Sequence, residues 1–481
     1  MSDSLKSKTI RGLSWSFVEL AGRQVVQFIT GIILARILFP EQFGLIGMIT
    51  VFIAVAQTFS EGGFGDALIQ KREATKTDIC SIFYFNIAIG LVAAGLLCLI
   101  APWISAFYNQ PVLTPITRGL SLIIVIESLG RIQSTILTKQ VDFKTHMKIG
   151  LISLVISGAI GIVMASIGFG IWSLVAQQLS RSLVRTSCLW IFNSWRPSLI
   201  FSFNALREMF GYGSRLLFSG LLNRVFDNLY YLVIGKMFSA RELGLYTRGK
   251  TIVDLPSATF SEVVTRVTFP IFSSIQDDKA RIKRVLEKAS ANMALVTFPM
   301  MIGLAVISRP LVLVLLTEKW AGAILYMELL CLASLLNPFR WINMNMMMSM
   351  GRSDLYMQMG IIQKLLSVIS IAVTYRYGIA AMIYGGMAVS VIAYYINNHY
   401  IYILTGYTIR QQFQDVLPYL LMAALMGIIL YLIGMIPFEK QWCLLLIQIS
   451  TGIFLYIFLC RIFRLISFME IWHAGWDKIN P

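Results

Sequence analysis

The chain has 481 residues, 57% of them hydrophobic and 13% charged, with a formal net charge of +16. Soluble domains hold roughly 45–50% apolar and about 25% charged residues, so an ordinary soluble enzyme is excluded and the composition belongs to the membrane class. In such a chain an excess of basic residues reports topology before it reports nucleic acid, and no nucleic-acid partner is expected.

Apolar runs close to the roughly twenty residues that span a hydrocarbon core predict an all-α integral membrane protein of about fourteen transmembrane helices. In chain order they fall near 14–38, 43–60, 79–101, 117–138, 147–168, 170–192, 212–235, 251–275, 289–316, 322–350, 357–376, 378–404, 415–436 and 441–462. Glu19 and Arg23 interrupt the first run, so it is expected to be a retained helix and not a cleaved leader. Turn signals such as Phe39-Pro40-Glu41, Asn109-Gln110-Pro111 and Gly168-Phe169-Gly170 separate successive spans. The inter-helix segments are too short to hold a soluble domain.

Lysine and arginine crowd one set of segments, including Lys6–Arg11, Lys71–Lys76, Lys139–Lys148, Arg181–Arg207 and Lys279–Lys288. They are sparse on the other, where Arg36, Arg118, Lys319, Arg376 and Lys440 fall. That asymmetry predicts both termini on the cytoplasmic side. The segment 236–250 opposes it, with Lys236, Arg241, Arg248 and Lys250 on the outer side. Trp103, Tyr108, Trp320, Trp442 and Trp472 stand near span ends, as interfacial anchors do.

The two halves echo one another. Glu41-Gln42-Phe43-Gly44-Leu45 follows the first span and Arg241-Glu242-Leu243-Gly244-Leu245 follows the seventh. Thr58-Phe59-Ser60-Glu61 recurs as Thr259-Phe260-Ser261-Glu262, and Gly170-Ile171 as Gly378-Ile379. The nearly constant offset predicts two six-helix lobes with pseudo-two-fold symmetry plus two C-terminal helices. The expected boundaries are 1–211 for the N-terminal lobe, 212–404 for the C-terminal lobe and 405–481 for the added pair and tail. A duplicated unit of even helix number keeps its orientation, which suits a transporter whose substrate path runs between halves.

A charge at a helix centre costs roughly 2.5–3.5 kcal/mol on insertion scales, so ionised residues inside spans are functional candidates. Helix one carries Glu19 and Arg23 on a polar stripe, and helix four carries Glu127 and Arg131 with Ser134 and Thr138. Helix seven adds Arg224 and Asp227; helix eight adds Asp254, Glu262 and Arg266. Arg23, Arg131, Arg224 and Arg266 are the candidates for lining a polar cavity. Glu19, Glu127, Asp227, Asp254 and Glu262 are the candidates for coupling an ion. Equally, Glu19/Arg23, Glu127/Arg131, Glu262/Arg266 and Arg224/Asp227 have the spacing of pairs that neutralise one another within a helix. The run Asn343–Met348 is expected to pack as ordinary core.

The six cysteines (Cys80, Cys98, Cys188, Cys331, Cys443, Cys460) form no C-x-x-C pair, and His146, His399 and His473 are isolated. Neither a metal site nor a disulfide framework is expected. No Walker-type loop, H-E-x-x-H or G-x-S-x-G occurs, so no cofactor, ATP site or common hydrolase centre is encoded.

Three stretches carry a resemblance to a known family. They are Ile33-Leu34-Ala35-Arg36-Ile37-Leu38 with Pro40-Glu41-Gln42-Phe43-Gly44, Leu245-Tyr246-Thr247-Arg248 through Pro256, and Phe269-Pro270-Ile271-Phe272 through Asp278. They resemble the bacterial Wzx-type polysaccharide repeat-unit flippases of the multidrug/oligosaccharidyl-lipid/polysaccharide exporter superfamily. The resemblance implies a non-enzymatic, multi-pass inner-membrane protein that flips undecaprenyl-diphosphate-linked oligosaccharide to the periplasmic leaflet by alternating access. It also implies membrane lipids and other polysaccharide-assembly membrane proteins as partners. Alternative readings are a multidrug efflux antiporter of the same superfamily, a lipid II flippase, or, in a different class, a membrane glycosyltransferase or polymerase.

Overall fold

The computed structural model describes residues 22–71 and 73–470, leaving aside the side chains of Asp66, Tyr212 and residues 258–267. Glu19 and Trp472 lie outside the described residues, and the Glu262 and Arg266 side chains lie outside the description. The described residues form helices joined by short turns, without a strand. Ten of the described helical stretches are long and apolar enough to cross a membrane. The protein is a multi-pass membrane protein.

Helix α1 covers residues 22–37, followed by α2 (Pro40–Glu61), α3 (Phe64–Gln70), α4 (Lys76–Tyr108), α5 (Leu113–Lys139), α6 (Phe143–Ser166) and α7 (Ile171–Phe192). Next come α8 (Phe203–Asp227), α9 (Leu229–Met237), α10 (Ala240–Ser274), α11 (Lys279–Val306) and α12 (Ser308–Leu316). The remainder are α13 (Ala323–Ser334), α14 (Asn337–Ser349), α15 (Ser353–Thr374), α16 (Ile379–Thr405), α17 (Ile409–Gly434) and α18 (Gln441–Ile462). Several helices outrun their apolar runs because capping, not hydropathy, sets their ends. Thr75 and Asp78 form a capping box that starts α4, and Asn109, at φ +55°, ends it. Other expected spans prove to be two helices: 212–235 breaks at Asn228, 289–316 at Ile307 and 322–350 before Asn337-Pro338.

The chain divides into two compact units, Met1–Thr247 and Arg248–Pro481. In the first, α4 packs along α5, and α7 packs along both α5 and α6. Small residues allow the approach: a Cβ on Gly90 would meet Ser128 at 2.8 Å, and one on Gly130 would meet Thr186 at 3.0 Å. Three α7 side chains then fasten to α5 carbonyls. Thr186 Oγ1 donates to Ile126 O at 3.0 Å, Trp190 Nε1 to Leu129 O at 3.0 Å and Asn193 Nδ2 to Gln133 O at 3.1 Å. On the loop after α3, Lys71 donates to Glu208 and pairs with Asp78 at 2.9 Å. The bonds to Asp78 and Glu208 hold its ammonium above the ordinary lysine range.

The duplicated segments 41–45 and 241–245 meet one another within this unit. A Cβ added to Gly44 would stand 1.6 Å from the Ala240 carbonyl oxygen, and one added to Gly244 would stand 1.9 Å from the Pro40 carbonyl oxygen. Contact of i with j and of j with i is what a local two-fold axis produces. The same geometry corrects the sequence reading of 236–250. Arg241, Arg248 and Lys250 belong to α10, which begins at Ala240, and not to an outer loop.

The second unit has a core of Phe272, Ile282, Leu286, Phe298, Met346, Met347 and Tyr407 between α11, α14, α16 and α17. Helix α17 packs along α11, so the C-terminal helices share this core. Met346 and Met347 are fully buried, as ordinary packing requires. Trp103 and Trp442 are exposed, whereas Trp320 is completely buried and anchors nothing at an interface.

Candidate functional site

The first unit contains a cavity of 750 Å³ lined by α2, α3, α5, α7 and α8. Its ionic lining is Glu61 from α2, Glu127 and Arg131 from α5, and Arg185 from α7. Hydroxyls and amides from Gln57, Thr58, Ser134, Thr135, Thr138 and Asn223 complete the polar surface. A second chamber of 310 Å³ shares Gln57, Glu127 and Arg185 with the first and adds Gln178, Arg181 and Ser182. The two form one polar tract along α2, α5 and α7.

Neighbouring helices hold the charges in place. Arg131 Nη1 lies 2.8 Å from Glu61 Oε1, and Gln57 Nε2 donates to Glu127 Oε2 at 3.1 Å. Glu127 also feels Arg131, Arg185 and Glu61, and Arg181 feels Arg23, Arg185 and Glu127. Among the described residues, Arg131, Arg181 and Arg185 thus line the tract together with Glu61 and Glu127. Planar guanidiniums present paired N–H donors that match phosphate or carboxylate oxygens. Such a tract can receive an anionic, hydroxyl-rich head group inside a membrane protein.

The sequence candidates divide. Glu127 and Arg131 line the cavity, and Arg23 is an electrostatic neighbour of Arg181. Glu127 and Arg131 interact electrostatically within α5, and each has a hydrogen-bonded or ion-pair partner on α2: Arg131 bridges to Glu61, and Glu127 accepts from Gln57. Arg224 and Asp227 are exposed in the last turn of α8, and neither lines either chamber, although Asn223 does. Asp254 pairs with Lys250 at 2.7 Å in the second unit. Glu19, Glu262 and Arg266 are the candidates beyond the description. Glu328, half-buried on α13, accepts from Ser308 Oγ at 2.8 Å.

Arg181, Arg185, Gln57, Gln178 and Glu61 are the lining residues that sequence reasoning missed. The two arginines had been assigned to the inner surface, whereas they stand mid-way along α7. The signal was present: Gln178, Arg181, Ser182 and Arg185 recur at steps of three and four inside an apolar run.

Comparison with known proteins bears on what such a tract serves. Residues 33–325 match the model of a family described as polysaccharide biosynthesis protein. The chain belongs to this family. One relative within reach is the teichuronic acid biosynthesis protein TuaB of Bacillus subtilis (strain 168), 28% identical over 95% of this chain and 96% of its own. Another is the lipopolysaccharide biosynthesis protein WzxC of Escherichia coli (strain K12), 29% identical over 77% of this chain and 76% of its own. The succinoglycan biosynthesis transport protein ExoT of Rhizobium meliloti (strain 1021) is 27% identical over 69% of this chain and 68% of its own.

Among solved structures, the lipid II flippase MurJ superposes with a TM-score of 0.75 over 94% of this chain and 98% of that one, at 16% identity. An inward-facing multidrug resistance MATE family transporter of the MOP superfamily follows at 0.63, covering 80% of this chain and 96% of that one, at 14% identity. At these identities the likeness concerns the fold. This member of the polysaccharide biosynthesis family thus shares the fold of these two structures.

Proposed function

We propose that this protein flips undecaprenyl-diphosphate-linked oligosaccharide repeat units from the cytoplasmic to the outer leaflet of the bacterial inner membrane, without covalent chemistry. The observation that carries the reading is the arginine-rich tract of Arg131, Arg181 and Arg185 among the helices of the first unit. Family membership and the likeness to TuaB, WzxC and ExoT, named for polysaccharide biosynthesis or transport, support the class of cargo.

The physics of such a cargo suits the tract. A polyprenyl tail of about 55 carbons, at ~0.8 kcal/mol per buried carbon, would cost on the order of 40 kcal/mol to bring into water. The tail stays in lipid, and only the hydrated diphosphate-sugar head needs a polar passage. Arginine forks receive the diphosphate, and the hydroxyl and amide groups around Ser134, Thr135 and Asn223 exchange hydrogen bonds with sugar. Under an inside-negative potential, outward movement of an anion gains ~2.3 kcal/mol per charge per 100 mV, which gives direction without ATP. Both termini are cytoplasmic in this reading, with Lys139, Lys144, Arg196 and Lys279–Lys288 on the inner surface.

Deletion of the gene tests the reading. Lipid-linked repeat units should accumulate at the cytoplasmic face, and surface polysaccharide should disappear. Accumulation of unpolymerised units on the outer face instead would place the protein after translocation, and normal surface polysaccharide would refute the role.

A further inference from the structure

The Glu61–Arg131 bridge has features that a merely structural ion pair does not need. It joins α2 to α5 at 2.8 Å, inside the cavity wall, and the Arg131 and Glu61 side chains keep 24% and 40% of their exposure. Water therefore reaches both partners, and a pair so exposed contributes little to stability. Glu61 is also the last residue of α2. It is followed by Gly62 at φ +59° and Gly63 at φ +71°, a left-handed pair that ends the helix before α3 begins. The carboxylate thus sits on the free end of a helix beside a turn, not in a rigid helix interior. The turn itself rests on α8: a Cβ on Gly63 would meet the Gly213 carbonyl oxygen at 2.6 Å.

We propose that Glu61 is a displaceable counter-ion, occupying the Arg131 fork while the cavity is empty and yielding it to the diphosphate of the cargo. The inference rests on the flippase reading above. A carboxylate and a phosphate present similar pairs of oxygens to a guanidinium, so each can replace the other on Arg131. The phosphate has the advantage of charge, with Arg185 and Arg181 further along the same tract. The nearby Glu127 is held by Gln57 and is not offered to Arg131 as a hydrogen-bond partner. Displacement frees the end of α2 next to the turn seated on α8, so filling of the cavity is felt at that contact. Glu61 is in this account a specificity and positioning residue: it sets an affinity low enough for release.

The test uses the full-length protein in detergent or nanodiscs with inorganic pyrophosphate as the probe, measured calorimetrically. Glu61→Gln removes the competing charge and should bind pyrophosphate at least tenfold more tightly than the parent, while exporting polysaccharide more slowly. Glu61→Asp, which keeps the charge on a shorter arm, should fall between them. Unchanged or weaker binding in both variants, with thermal stability like the parent's, overturns the counter-ion role. Arg131→Ala and Arg185→Ala separate the two claims. If they weaken pyrophosphate binding while Glu61→Gln leaves it unaltered, only the counter-ion proposal falls. If they leave it unaltered, the anion-binding reading of the cavity falls with it.

Discussion

Among the described residues, the two units of this protein differ in where their ion pairs lie. In the first, charges from separate helices converge on a polar tract, and the bridge between Glu61 and Arg131 links residues far apart in sequence. In the second, among the described residues, Lys250–Asp254, Lys283–Glu287 and Arg352–Asp354 join sequence neighbours, and Lys288–Glu470 joins distant ones, but none of these pairs lines either chamber. Its interior is filled instead by Phe272, Phe298, Met346 and Met347. A local pair neutralises itself and leaves nothing for a ligand. A pair made across helices exists only because packing brought it together, and it can be opened again. The difference shows that spacing alone does not tell a functional charge from a structural one; what decides is whether its partner lies on another helix beside a cavity.

The contrast can be broken by mutation. The largest effect is expected for Arg181→Ala with Arg185→Ala, which should lower polysaccharide export more than a hundredfold at normal protein level, read by surface polysaccharide and immunoblot. Parent-like export would mean the tract is not the passage. In the second unit, Met347→Ala should cost about 2–5 kcal/mol of stability by leaving a cavity in the core. Export per folded molecule should be unchanged, as thermal unfolding and export measured together would reveal.

Gly44→Ala should destabilise by at least about 1–3 kcal/mol, because its Cβ would press on the Ala240 carbonyl, 1.6 Å away, and the backbones must part. Gly244→Ala should behave alike, since the contact is reciprocal; a tolerant response at either site would dissolve the local two-fold. The smallest effect is expected at Arg224→Ala, which removes an exposed charge outside both chambers and should cost less export than Arg185→Ala alone. An equal or larger loss would move the anion path to α8.

Much of this was legible in the sequence. Apolar runs located many of the membrane helices, and the similar segments around Gly44 and Gly244 meet in the fold. Polar stripes at helical spacing singled out Glu127 and Arg131, which line the cavity. The partners were hidden, because Gln57 and Glu61 reach α5 through tertiary packing that no spacing encodes. Arg181 and Arg185 were lost for a different reason. Positive charge was counted as topology, although the expected span 170–192 already held both arginines, as the helix Ile171–Phe192 does. Helix breaks at Asn228 and Ile307 escaped because hydropathy continues across them, while the helix does not.

The central claim is that the tract along α2, α5 and α7 is wet and receives an anionic head group. It is tested most directly by Gln178→Cys in a chain whose six native cysteines are replaced, reacted in membranes with a charged, water-soluble thiol reagent. The account predicts rapid modification that slows when pyrophosphate or a short prenyl diphosphate is added. A cysteine there that stays unreactive, while one at the exposed Leu199 reacts, would mean a dry bundle and would contradict it.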